Sequence, residues 1–353
     1  MNLNPIINNF QRPIRKVQIC CILIFSCAAC SLNIPYENQY SDPDAITTVT
    51  AARELLASAY DAIPKPEFSL SVLSDDFQPT FLINLNADLN NLYKWHPKPM
   101  EDLSNSLWEK YYSAIAIANT VLERIHYVSP ISDSDKQELQ CIVSEAKTLK
   151  AYCYFNLLRL FAPTYPEGPE KDGIILKERF ELAFLKRSSI SECVNAIRQL
   201  LTEAVTVDNR PSQVYWFSRQ SAYYLLAALE LYAENYDKAE EYALKILSST
   251  NAYDVLAPVH YKKLWEQEPC EECIFSLHTT NSYYTDMNYE RKKGDYFTIN
   301  STLTQLYTAN DIRYEATVYP QEMPGESIGE TLPVLYLGKY NKQNWNYKPI
   351  QYI

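Results

Sequence analysis

Glycine is scarce in this chain: there are six in 353 residues, the first at Gly168, where an average chain holds roughly 7%. Without early glycines no backbone turn can close on a phosphate. Neither G-x-G-x-x-G nor G-x-x-x-x-G-K occurs, which excludes a dinucleotide fold and a P-loop. Histidine is equally thin, with only His96, His126, His260 and His278, and there is no H-E-x-x-H and no G-x-S-x-G elbow. Positive charge is outweighed, with a formal net charge of -11. No basic stripe with interleaved aromatics is present, so nucleic acid is excluded as a partner. No window holds eighteen consecutive apolar residues, which leaves no candidate for a spanning helix.

The N-terminus carries what is present. Arg12, Arg15 and Lys16 form a basic region, Val17 to Phe25 a mostly apolar run too short to span a bilayer, and small residues follow, the pattern of an export signal. The residue after Ala28-Ala29 is Cys30, the side chain able to carry a thioether-linked diacylglycerol, and the pattern resembles a bacterial lipobox. Cys27 stands where Leu is usual, and Cys27 itself is a second, poorer candidate for the anchor; an ordinary cleaved signal is the plain alternative. The expectation is a signal peptide over 1–29 and a polar, proline-bearing tether over 30–45 held to a membrane by acyl chains, each buried CH₂ contributing about 0.8 kcal/mol. Loss of the three basic and no acidic residues of 1–29 takes the net charge from -11 to -14.

In the body, Cys141, Cys153 and Cys193 read as small buried hydrophobes on helices, and Cys270-Glu271-Glu272-Cys273 is a lone C-x-x-C, weak as a metal site and open to a local disulfide. Tyrosine is abundant at 29, a side chain suited to half-wet surfaces.

Apolar spacing predicts a first helix with Ile46, Val49, Ala52, Leu56, Tyr60 and Ile63 on one face, capped by a Thr and stopped at Pro64. Residues 65–103 lose the period and read as a long loop. A second helix is expected from about Ser106 with Glu109 as capping-box partner, a third from about Ser134 with Gln137 to Pro163, and a fourth from Ser189 with Glu192. Two more, over about Ser218–Glu234 and Asp237–Ser248, form an antiparallel hairpin. Such hairpins suggest a tetratricopeptide-like array without a strict period of about 34 residues. Residues 251–353 are mostly irregular with short pieces, CIFSLHTT being strand-like. The expected class is therefore all-α: a helical-pair scaffold over 46–250 in a single domain of 46–353, with long irregular loops and a few short strands.

The segments WEKYYSAIAIANTVLERI, EAKTLKAYCYFNLLRLFAP, ISECVNAIRQLLTEAV, AENYDKAEEYALKIL, EECIFSL, NDIRYEATVY and YLGKYN occur in the order found in SusD/RagB-like proteins, which the chain resembles over about residues 40 to 353. The resemblance implies a cell-surface lipoprotein of the outer membrane that captures oligosaccharides and serves a TonB-dependent, SusC-like transporter as a hinged lid, performing no chemistry and using no cofactor or metal. In the family a further helical region follows a segment similar to NYKPIQYI, so the resemblance implies that a final helical pair is missing after Ile353.

Sugars offer apolar C–H faces and a rim of hydroxyls, so a site needs aromatic platforms beside amides and carboxylates. Two loops fit. One supplies Asp75, Asp76, Tyr93 and Trp95, near Asn90 and Asn91; the other supplies Tyr283, Tyr284, Tyr289 and Arg291. Each aromatic can instead be a packing anchor. Asp311-Ile312-Arg313 reads as a helix cap or ion pair. The adjacent carboxylates Asp75-Asp76 and Glu271-Glu272 do not suit a glycosidase, whose two carboxylates converge across one bond at about 5 to 10 Å. The stronger rival is a tetratricopeptide-like protein-interaction scaffold without its own sugar site.

Overall fold

The computed structural model describes residues 46–179, 184–249, 261, 273–278, 296–308, 310–325, 327, 329–337 and 347–351. The expectations for the signal, the tether, Cys27 and Cys30 lie outside the described residues. The chain opens with α1 (Val49–Asp61), whose cap is the Thr48 hydroxyl accepting from the Ala51 N–H at 3.1 Å, and whose buried face is Ala52, Leu56, Ala59 and Tyr60. Next come α2 (Glu67–Leu73), β1 (Phe77–Pro79), a 3₁₀ turn over Phe81–Leu85 and α3 (Ala87–Tyr93). The expected long loop of 65–103 is thus largely ordered, a correction considered below.

The long helices α4 (Pro97–Arg124) and α5 (Asp133–Phe161) follow. The first starts nine residues before the expected Ser106, because Pro97 sits in the opening turn, where a missing N–H costs no hydrogen bond. The cap of α5 is Ser132 with Asp135 as its box partner, rather than Ser134 with Gln137. Then come α6 (Ile190–Ala204), α7 (Arg219–Tyr232) and α8 (Tyr236–Leu247). For α6 the expected capping box is present: Ser189 N–H donates to Glu192 Oε2 at 2.7 Å while Glu192 N–H donates to Ser189 Oγ at 3.2 Å. That hydrogen bonding to Ser189 holds the Glu192 carboxyl below its usual range.

Helices pack pairwise along the chain, α4 on α5, α5 on α6 and α7 on α8, with α1 laid against α4 and α5. Because α5 has neighbours on several sides, almost every residue from Ala146 to Leu158 is buried, and its apolar stripe widens to the whole circumference. Ion pairs lock the joints: Arg198 of α6 donates through Nη2 to the buried Glu230 of α7 at 3.0 Å, and Asn235 Nδ2 donates to the same carboxylate at 3.0 Å. Cys153 and Cys193 are buried, and burial pushes both thiols upward, which leaves them inert. Cys141, expected to be buried, is only half-buried. Cys270 lies outside the described residues, and with it the question of a bond to Cys273.

One glycine permits a close approach. A Cβ on Gly173 would come within 2.8 Å of the Cys193 sulfur, and Arg187 clamps that turn to the end of α5, donating to Phe161 O at 2.8 Å and Gly173 O at 2.9 Å while stacking on Trp108.

The described C-terminal part contributes β2 (Phe275–His278), β3 (Phe297–Ile299), the short helices α9 (Ser301–Thr304) and α10 (Ile312–Thr317), β4 (Val318–Pro324), β5 (Thr331–Leu337) and β6 (Tyr347–Gln351). They form three antiparallel pairs, β1 with β3, β2 with β6, and β4 with β5. Asp311 caps α10 by accepting from the Arg313 N–H at 2.9 Å and binds the Arg313 guanidinium at 2.7 Å, the structural role expected of that motif.

Lys150 on α5 is 7% exposed, its ammonium 5.7 Å from the centre of the Tyr154 ring. Burial lowers its pKa from 10.5 to about 8, against the attraction of Glu178 and Glu123. The unfolded lysine therefore binds more protons than the folded one between about pH 8 and 10.5, so this group makes the fold gain stability as pH rises through that window. Lys150→Met is expected to raise stability at pH 7 by on the order of 2 kcal/mol. Urea melts of both proteins at stepped pH check this: the advantage of Met is largest below about pH 8 and fades towards 10.5.

Candidate functional site

A small second core organises the first candidate loop. Phe68 and Val72 of α2, Phe77 of β1, Ile83 of the 3₁₀ turn and Leu92 of α3 close around Phe297 of β3. The register Phe77↔Ile299, Gln78↔Thr298, Pro79↔Phe297 fixes that arrival, and Asn300 N–H donates to Asp76 O at 2.9 Å.

Four of the candidate residues are described, and one of them, Tyr93, packs against this core. Asp75 and Asp76 are exposed in the turn between α2 and β1, where Asp76 N–H donates to Ser74 Oγ at 3.2 Å. Tyr93 is half-buried, its ring centre 5.9 Å from that of Phe297. Of the two readings open for each aromatic, its surroundings are those of a packing anchor of the small core. Trp95 is 60% exposed and has φ of 56°.

The Trp95 backbone has a plain local cause. Trp95 N–H donates to Leu92 O and His96 N–H to Asn91 O, both at 2.9 Å, the double hydrogen bond that closes a helix with a left-handed residue just past its end. Glycine is the usual occupant because side chains disfavour that backbone by roughly 1–2 kcal/mol. Among the described residues a second helix, α7, is closed in this way, with Glu234 at φ 59°. In a glycine-poor chain both stops carry side chains, and here the side chain is an indole presented to solvent. Asn90 beside it donates through Nδ2 to Asn84 Oδ1 at 3.3 Å. The second candidate loop, with Tyr283, Tyr284, Tyr289 and Arg291, lies outside the described residues.

The structure also contains a cleft that the sequence did not indicate, about 260 Å³ in volume and lined by Ala57, Tyr60 and Asp61 of α1, Tyr215 and Trp216 of the segment before α7, and Leu277 of β2. Behind it lies a buried polar network. Glu145 of α5, 1% exposed, accepts from Arg53 Nη1 on both oxygens at 2.9 Å, from Tyr60 Oη at 3.2 Å and from Asn209 Nδ2 at 3.3 Å. Tyr60 Oη in turn accepts from Phe217 N–H at 2.8 Å. Burial pushes the Glu145 carboxyl upward, while the Arg53 charge and the hydrogen bonds pull it back. Sequence spacing could not reveal this site, since Tyr60 and Phe217 are 157 residues apart.

Comparison with known proteins adds a family. A family model described as starch-binding and associating with the outer membrane matches residues 35–231. A SusD-like protein of Formosa agariphila is 25% identical over 232 residues, a stretch covering 64% of this chain and 42% of the relative, so this chain matches about two-fifths of that protein's length. A SusD superfamily structure from Bacteroides thetaiotaomicron superposes with a TM-score of 0.71 at 18% identity, over 87% of this chain and 73% of that one. A SusD-like carbohydrate-binding protein from Bacteroides vulgatus gives 0.69 at 16%, over 85% and 67%. At these identities the structures establish the fold, a mainly helical scaffold with few short strands, as expected from the capped amphipathic helices.

Proposed function

This chain belongs to the SusD-like family of starch-binding proteins that associate with the outer membrane, and from that premise we propose that it captures oligosaccharides at the cell surface and releases them unaltered to a TonB-dependent, SusC-like transporter. On this reading residues 1–29 are removed, Cys30 carries the lipid with Cys27 as the alternative, 30–45 is the tether, and 46–353 is the binding body.

The observation that carries the reading is Trp95: a large aromatic held open to water in a backbone conformation that disfavours it. Strain of this kind concentrates where function over-determines the backbone. A flat indole offers the C–H face of a sugar ring the surface it requires, and on this reading Asp75 and Asp76, exposed between α2 and β1, and Asn90 of α3 supply acceptors and donors for hydroxyls. The loop with Tyr283, Tyr284, Tyr289 and Arg291 completes the proposed site.

Calorimetric titration of the full chain with maltooligosaccharides tests it. Saturable binding is expected, weakened about tenfold or more by Trp95→Ala. One observation favours a second reading, the interaction scaffold: Leu231 of α7 and Tyr236, Leu244 and Leu247 of α8 leave apolar side chains open on the hairpin. A folded chain that binds no oligosaccharide yet is retained by its transporter gives the scaffold reading the stronger claim.

A further inference from the structure

We propose that the cleft beside α1 is a second carbohydrate subsite, sized for one pyranose ring and separate from the Trp95 turn. Its volume of about 260 Å³ falls just under the roughly 300–1,000 Å³ of pockets for drug-sized ligands, which suits a single ring. Two of its walls are aromatic and perpendicular: the Tyr60 and Trp216 rings meet at 90° with centres 4.9 Å apart, and Tyr215 meets Trp216 at 55° and 5.6 Å. Ala57 and Leu277 add apolar surface. Tyr60, 7% exposed, forms the floor, so a sugar entering here lays C–H groups on the half-buried Trp216 and Tyr215 and turns hydroxyls outward.

The polar partner for those hydroxyls is Asp61, exposed on the last turn of α1, whose carboxylate makes no hydrogen bond or ion pair among the described residues. The walls are fixed before any ligand arrives. Tyr60 is held through its hydroxyl by Glu145 and Phe217 N–H, and Phe217 stacks on Phe275 behind it at 4.0 Å. Pre-set walls spare a ligand the cost of ordering them. An aromatic recess with a carboxylate also suits an organic cation. Against that, the Arg53 guanidinium already occupies a cation position on the Trp216 ring, 5.2 Å from its centre.

The test reads each tryptophan separately. The full chain, with its five tryptophans replaced by 5-fluorotryptophan, is titrated with glucose, galactose, mannose and N-acetylglucosamine, and the ¹⁹F signals of Trp216 and Trp95 are assigned from Trp216→Phe and Trp95→Phe. At least one sugar is expected to move the Trp216 signal saturably, with a dissociation constant on the order of millimolar for so small a ligand. Ala57→Phe, which fills the cleft, is expected to abolish the movement, and Asp61→Ala, at an exposed position, to weaken binding several-fold. A Trp216 signal unmoved by all four sugars, or moved equally in both variants, overturns the subsite. Movement by tetramethylammonium and none of the sugars overturns it too, assigning the recess to a cation. The Trp95 signal reports the turn independently, so failure there and failure here are distinguishable.

Discussion

Glu145→Ala is expected to cost about 3 kcal/mol of folding stability and to lower the melting temperature by about 6 °C. The carboxylate is the meeting point of α1, α5 and the segment before α7, and its loss removes an acceptor from three donors at once: the Arg53 guanidinium, the Tyr60 hydroxyl and the Asn209 amide, of which Asn209 keeps Phe217 O at 2.9 Å. Arg53 keeps Glu138, to which its Nε donates at 2.9 Å, and its side chain is 25% exposed. The loss therefore falls at the lower end of what breaking a buried pair costs. Glu145→Gln retains the volume and part of the hydrogen bonding and is expected to lose less. Thermal melts of the three proteins at pH 7 decide the matter, and an alanine variant melting within about 1 °C of the parent would show that the network holds nothing together.

Trp95→Gly is expected to raise stability and lower affinity in one substitution. The left-handed backbone at φ 56° disfavours a side chain by roughly 1–2 kcal/mol, and glycine gives back about 0.5–1 kcal/mol of that in backbone entropy. The net gain is about 0.5–1 kcal/mol. Maltooligosaccharide binding should fall tenfold or more, about 1.4 kcal/mol. Paired melts and titrations separate the alternatives. A glycine variant that is stabilised and binds as well as the parent makes the indole an ornament of a helix stop and sinks the proposed role.

Several elements were legible because their chemistry is local. The start of α6 is written in Ser189 and Glu192, four residues that need no distant neighbour. So is the buried face of α1, where Ala52, Leu56 and Tyr60 recur at helical spacing. The segment 65–103 misled for two reasons. Proline reads as a loop former, yet Pro97 opens α4, in the one turn that tolerates it. The helices α2 and α3 have seven residues each, too short for a period to register, and they are held by a core whose closing residue, Phe297, arrives from far along the chain. Trp95 stood out from its proline-rich flank, but its left-handed backbone did not, since glycine is the expected residue there. The cleft on α1 was invisible for the same reason as the small core. Its walls are ordinary core aromatics until three distant segments bring them to one rim.

The pairing of β1 with β3 sets an order of events. As the chain begins to fold, the helices from α4 to α8 can assemble from neighbours close in sequence. The scaffold around the tryptophan turn must wait for residues 297–299, since a contact joining segments more than two hundred residues apart forms only after the long intervening loop is closed. On that order the small core beneath the tryptophan turn is completed after the helical array, and a chain that has not yet brought in Phe297 would hold the array without the support of that turn.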